Sequence, residues 1–237
     1  MTWLILLTGF VLGLRHALDP DHVAAVTHFI SVEPNSRRGA WFGVMWGLGH
    51  GLTVLVLGTV MIAFGLRLSP EFERGAEVVV GATLILLAAW RLKLLADERR
   101  HAHPHQHQAA VHAHRHNHLL TAGHVHPYAP TLMGMVHGAA GTLAVFVLIP
   151  VSFMASGWLA YAYMAVFSVG CVLSMTGYGV FAGRWYGAIA AGRDTSLQDV
   201  GASHAPGRAR RAPFQWLVVG TSLAGLVLGV FWIARPW

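Results

Sequence analysis

Arg15-His16-Ala17-Leu18-Asp19-Pro20-Asp21-His22 places five ionisable side chains inside an otherwise largely apolar run from Trp3 to Phe29. At mid-depth in a bilayer each charge costs roughly 2.5–3.5 kcal/mol on insertion scales. A chain keeps such groups there only when they pair, bind something or line a cavity. Two imidazoles and two carboxylates so close together make coordination of a metal ion the leading reason. The competing explanation is a polar helix end outside the bilayer with a surface ion pair, and the apolar flanks on both sides argue against it.

Spacing sharpens this. On a continuous helix His16, Asp19 and His22 fall three apart and share one face. Arg15 stands four residues before Asp19 and can hold it by a charge-assisted pair. Pro20 lacks a backbone donor and its ring collides with the carbonyl of His16, so a kink or broken turn is expected inside the stretch.

Composition bounds the rest. Of 237 residues, 55% are hydrophobic and 11% charged, and mean hydropathy is +0.53. Soluble domains carry about a quarter charged residues, so no separate soluble core is expected. The single cysteine, Cys171, leaves neither an intrachain disulfide nor a thiolate metal cluster. The net charge of +6 is no sign of nucleic acid, because the basic residues sit mainly between apolar segments, facing membrane lipid headgroups and water. The N-terminal residues lack a basic lead and a small-x-small cleavage site, so they are expected to be retained as the first helix.

About 20 apolar residues cross a bilayer as a helix. Six windows qualify: 2–31, 40–66, 75–95, 131–154, 158–183 and 214–233. The expected architecture is an all-α polytopic membrane protein of six transmembrane helices. Its parts are residues 1–96 with three helices and the metal motif, a His-rich loop at 97–130, two helices in 131–183 joined by a tight hairpin at 155–157, a basic loop at 184–213, and a last helix in 214–237. Residues 193–213 lack apolar periodicity and are expected to have no fixed structure. Arg37 and Arg38 lie in the first loop. Arg99, Arg100 and Arg115 lie in the third, with Arg91 and Lys93 just before it, and Arg184, Arg193, Arg208, Arg210 and Arg211 lie in the fifth. The other side has only Arg67, Arg74 and Arg235. The positive-inside rule then puts these three loops in the cytoplasm and both termini outside, in a cell (inner) membrane.

Three stretches share Gly, a bulky apolar residue, any residue, His and a small residue: Gly13–Ala17, Gly47–Gly51 and Gly134–Gly138. They add His50 and His137 to the candidate site. Because the first and fourth windows both carry the pattern, a 3+3 inverted repeat with the site between its halves is expected. Chance recurrence in a Gly-rich chain is the alternative.

A second group of histidines is separate: His101, His103, His105, His107, His112, His114, His116, His118, His124 and His126. Imidazole suits Ni, Cu, Zn and Co. The irregular spacing reads as a multi-register chelator in a low-complexity loop, or else as a dispensable linker.

The octet resembles the signature of the nickel/cobalt transporter family and its nickel-efflux and urease-accessory membrane relatives. That signature usually reads Arg-His-Ala-x-Asp-Ala-Asp-His, and Pro20 stands where Ala is usual. Leu48-Gly49-His50 is similar to a second family signature, and His137 matches the efflux and urease-accessory relatives more closely. The family's Gly-Phe-Asp-Thr-Ala-Thr-Glu stretch has no counterpart. The resemblance implies a permease whose motif helix binds Ni²⁺ or Co²⁺.

The expected function is secondary transport of nickel, with cobalt as a second cargo, the ion being substrate and not cofactor. His16, His22, His50 and His137 supply nitrogens. Asp19 and Asp21 neutralise charge, support the imidazoles or donate oxygen. Proton exchange is a plausible energy source, and no nucleotide-binding loop is present. Two rivals remain: an accessory membrane protein that delivers nickel to a maturing enzyme without itself moving ions, and an intramembrane metal hydrolase, for which no spare deep carboxylate base exists; a metallochaperone is a further expected partner. A transporter, and not an enzyme, is the preferred reading.

Overall fold

The computed structural model describes residues 2–65, 69–100, 105–107, 110–112, 125–126, 128–140, 147, 149–152, 154, 156–191 and 212–235. Its helices are α1 (Thr2–His16), α2 (Pro20–Val32), α3 (Ser36–Phe64), α4 (Pro70–Arg100), α5 (Ala129–Gly138), α6 (Ile149–Ser152), α7 (Gly157–Ala191) and α8 (Ala212–Ala234). Large apolar side chains such as Trp3, Leu86, Phe181 and Trp216 face outward, as lipid-facing residues do. α3, Pro70–Asp97, α7 and Pro213–Ala234 are each long and apolar enough to cross a membrane. The α1–α2 pair, bent by 55°, adds a fifth span if counted as one.

The break between α1 and α2 falls where Pro20 requires it. Pro20 opens α2, where its missing N–H costs nothing. Asp19 before it is extended, with ψ 144°. Residues 17–19 form a tight turn in which the N–H of Asp19 donates to the carbonyl of His16 at 3.0 Å. His16, Asp19 and His22 therefore do not share one face of a continuous helix, as the spacing led us to expect; they flank a bend. The bend also removes the four-residue helical register between Arg15 and Asp19. Among the described residues Asp19 pairs with His16 and not with Arg15.

Three other expectations need correction. The fourth window is not one continuous helix: α5 has 10 residues and ends in a turn at Ala139 and Ala140, whose N–H groups donate to the carbonyls of Val136 and His137. Between Ala140 and Gly157 only α6 and residues 147, 154 and 156 are described, so most of the expected hairpin at 155–157 lies outside the described residues. α4 and α7 run to Arg100 and Ala191, past the ends expected at 95 and 183. In the histidine tract, β1 (His105–His107) pairs antiparallel with β2 (Ala110–His112), His105 opposite His112, so part of it has backbone structure. His101, His103, His114, His116, His118 and His124 lie outside the described residues, as do 192–211.

Glycine sets how close the helices come. A Cβ at Gly13 would meet the Phe167 carbonyl, fixing α1 on α7. A Cβ at Gly134 would meet the Trp46 carbonyl, fixing α5 on α3. Gly39 and Gly179 face each other across α3 and α7. Small residues are what allow such backbone approach in membranes. The result is an interior, around Phe42, Trp46, Phe167 and Met175, into which the ends of α1 and α5 both point.

Candidate metal centre

Four histidines from four helices meet in this interior. His16 ends α1, His22 is in the first turn of α2, His50 is mid-α3 and His137 is one residue from the end of α5. All four are at most 3% exposed. One ligand nitrogen each from His16, His22 and His50 lies within 4.8 Å of the others. The Nε2 atoms of His16 and His50 are 3.3 Å apart. The His137 ring is centred 5.4 Å from that of His22.

Hydrogen bonds decide which nitrogens carry the proton. His16 Nδ1 lies 2.8 Å from Asp19 Oδ2, His22 Nδ1 3.1 Å from the His16 carbonyl and His137 Nδ1 2.9 Å from the Met133 carbonyl. Both a carboxylate and a carbonyl accept, so each Nδ1 carries the proton and each Nε2 presents a lone pair. This is the usual outer support of a metal-binding imidazole. His137 Nε2 and His50 Nδ1 are buried with no partner among the described residues. Two nitrogens bound tetrahedrally at about 2.0–2.1 Å from one ion stand about 3.3 Å apart, which is the His16–His50 separation.

The carboxylates differ. Asp19 holds His16 from a position 26% exposed, while Asp21 is 12% exposed and its Oδ2 lies 3.7 Å from His22 Nε2. Asp21 thus supplies negative charge beside the Nε2 lone pair of His22. The structure brings together His16, Asp19, Asp21, His22, His50 and His137. Arg15, expected to support Asp19, makes no ion pair with it among the described residues. His126 is exposed and stacks on Tyr128, outside this centre.

Sequence reasoning missed the walls. Trp46 is fully buried and lies against His50, His22 and His137, with centroids 5.1, 4.7 and 5.9 Å away. Phe167 stacks on His16 at 5.5 Å. Trp46 could have been found, being four residues before His50 on the same helical face. Phe167 had no such signal, since α7 meets α1 only through tertiary packing.

An apolar helical bundle whose broken helix ends carry imidazoles into its centre defines a polytopic membrane protein of the metal-transport class. Comparison with known proteins agrees: the chain belongs to the NicO family, described as high-affinity nickel-transport protein, whose profile matches residues 2–193. It is 33% identical to the urease accessory protein UreH of Bacillus sp. (strain TB-90) over 175 residues, covering 73% of this chain and 74% of that one. It is 39% identical to the nickel transporter NicT of Mycobacterium tuberculosis over 62 residues, covering 26% and 16%. It is 30% identical to the cobalt transport protein NhlF of Rhodococcus rhodochrous over 91 residues, covering 37% and 25%. No solved structure matches the chain.

Proposed function

We propose that this protein carries Ni²⁺, with Co²⁺ as a second cargo, across a membrane by secondary transport through the centre formed by His16, His22, His50 and His137. The observation that carries this is the set of buried imidazole lone pairs converging from separate helices at a break in the first span. A hydrated ion entering the bundle must lose water, and these nitrogens, with Asp21 beside them, replace the lost shell. Asp19 fixes the tautomer of His16. Radioactive nickel flux into sealed vesicles of known orientation tests it: wild type moves nickel and His16→Ala does not. Normal flux through a stably folded His16→Ala protein would overturn the site.

The six-span, 3+3 inverted arrangement supports alternating access about this centre. The interval that separates Gly13 from Gly134 also separates Phe10 from Thr131, Trp46 from Phe167 and Gly49 from Gly170. Gly13 abuts the Phe167 carbonyl as Gly134 abuts that of Trp46, and Gly170 abuts Phe10 as Gly49 abuts Thr131. In this reading α1–α2 and α5–α6 are the broken spans of the two halves. Both termini face outward, and the histidine tract faces the cytoplasm, where it gathers or buffers the ion.

The likeness to a urease accessory protein favours one second reading, delivery of nickel to a maturing enzyme without flux. Deleting residues 101–126 separates the two. A transporter keeps flux with altered regulation, whereas a delivery protein loses its function.

A further inference from the structure

Away from the metal centre, α2 carries another buried imidazole. His28 is 2% exposed. Its Nδ1 lies 2.6 Å from the Ala24 carbonyl, so Nδ1 holds the proton and Nε2 is a bare lone pair. Nε2 is buried and has no partner among the described residues. Such an atom is a net cost to the fold, and an apolar side chain would fill the place without it.

The surroundings select the ligand. α8 presses Gly225 onto this edge of the ring, and a Cβ there would stand 2.7 Å from Cε1 and 3.1 Å from Nε2. Ser222, one turn earlier on α8, is fully buried with Oγ unpartnered among the described residues. α4 contributes Ala88 and the cation Arg91. The Nε of Arg91 donates to Ser31 Oγ at 2.8 Å, and Ser31 Oγ donates to the His28 carbonyl at 2.8 Å. α7 brings Tyr178, hydrogen-bonded to the adjacent Thr27. A divalent ion would find one nitrogen donor and a guanidinium close by. A proton needs only the one lone pair.

We propose that His28 is a proton site of this transporter, distinct from the metal centre, whose bare Nε2 takes up H⁺ when α2 draws away from α8 and Arg91. The resulting imidazolium keeps its Nδ1–H bond to Ala24. The proposal rests on the transport reading above. His22 and His28 lie on the same helix, so a movement of α2 that opens one site alters the surroundings of the other. That is the linkage a proton-driven exchanger needs.

The test uses full-length protein in liposomes with a trapped pH dye and an imposed nickel gradient. Wild type is expected to move protons opposite to nickel. His28→Gln keeps a donor for Ala24 but has no titratable nitrogen, and Gly225→Ala sets a methyl against Nε2. Both are expected to lose at least tenfold of the linked proton movement, while nickel affinity by calorimetry stays within twofold of wild type. If His28→Gln does not fold, Gly225→Ala decides alone. Undiminished proton movement in a folded variant, or nickel flux in wild type without proton movement, overturns the proposal and leaves transport standing. Absence of nickel flux in wild type overturns the transport reading instead. The proton site is then judged on metal-free protein, where His28→Gln must bind one proton fewer than wild type on titration from about pH 8 down to the onset of acid unfolding; equal uptake overturns it.

Discussion

His16 and His50 are separated by 34 positions in the chain, yet their Nε2 atoms stand 3.3 Å apart. With His16 Nδ1 committed to Asp19, its Nε2 is a lone pair directed at the other ring. Either His50 donates a hydrogen bond to it or both turn their lone pairs on a cation. The second arrangement explains why two further imidazoles crowd the same volume. Replacing either His16 or His50 with Ala is expected to lower nickel affinity by at least about 100-fold. Asp19→Ala, which frees the ring without removing a nitrogen, is expected to lower it by about 10–100-fold. Isothermal titration with nickel distinguishes the two classes, and unchanged affinity in His50→Ala would exclude it as a ligand.

Trp46 reports on the same volume. Its indole stacks on His50 with rings tilted by 24°, so an open-shell ion held by His50 sits close enough to quench its emission. Nickel is expected to reduce tryptophan fluorescence in wild type, and Trp46→Phe is expected to remove most of that change. Trp46→Ala empties a fully buried site and is expected to cost about 3–5 kcal/mol of stability, seen as a lower melting temperature in detergent.

Much of the centre was legible because the chemistry is local. The charged octet in an apolar run and the recurring Gly-x-x-His pattern pointed to His16, His22, His50 and His137, and Pro20 marked the bend. What was hidden depends on tertiary packing. A straight helix puts Arg15 over Asp19, but the bend gives Asp19 to His16. Arg91 counted as a loop-flanking charge, yet it is 2% exposed and holds Ser31 through Nε and Nη2. His28 carried no pattern at all, because its significance lies in α8 closing over it. The apolar content of 131–154 read as one span, although its helix stops at Gly138, where the carbonyls of Val136 and His137 turn into the bend.

The glycines give a stability contrast. At Gly134 a methyl would strike the Trp46 backbone carbonyl, which has no side-chain freedom to yield. Gly134→Ala is expected to cost about 1–3 kcal/mol or more by overpacking and to weaken nickel binding by lifting α5, and His137 with it, from α3. A Cβ at Gly220, mid-α8, meets nothing within 4 Å, so Gly220→Ala is expected to be neutral or stabilising by up to about 1 kcal/mol through helix propensity. Thermal unfolding of the two variants side by side checks both signs.

Protons are expected to compete with nickel at the centre. A ring that donates its Nδ1–H to Asp19, to the His16 carbonyl or to the Met133 carbonyl has one lone pair, at Nε2, and a proton there removes the ligand. Metal binding by imidazole therefore weakens as pH falls and displaces whatever protons the rings hold. Nickel affinity is expected to be nearly flat at alkaline pH. It should then fall by about tenfold per pH unit for each proton displaced once the rings begin to load. Calorimetry in buffers of different ionisation enthalpy counts those protons directly. At a pH where the rings hold protons, His137→Ala should reduce the count if His137 joins the ion and leave it unchanged if His16, His22 and His50 hold the ion alone.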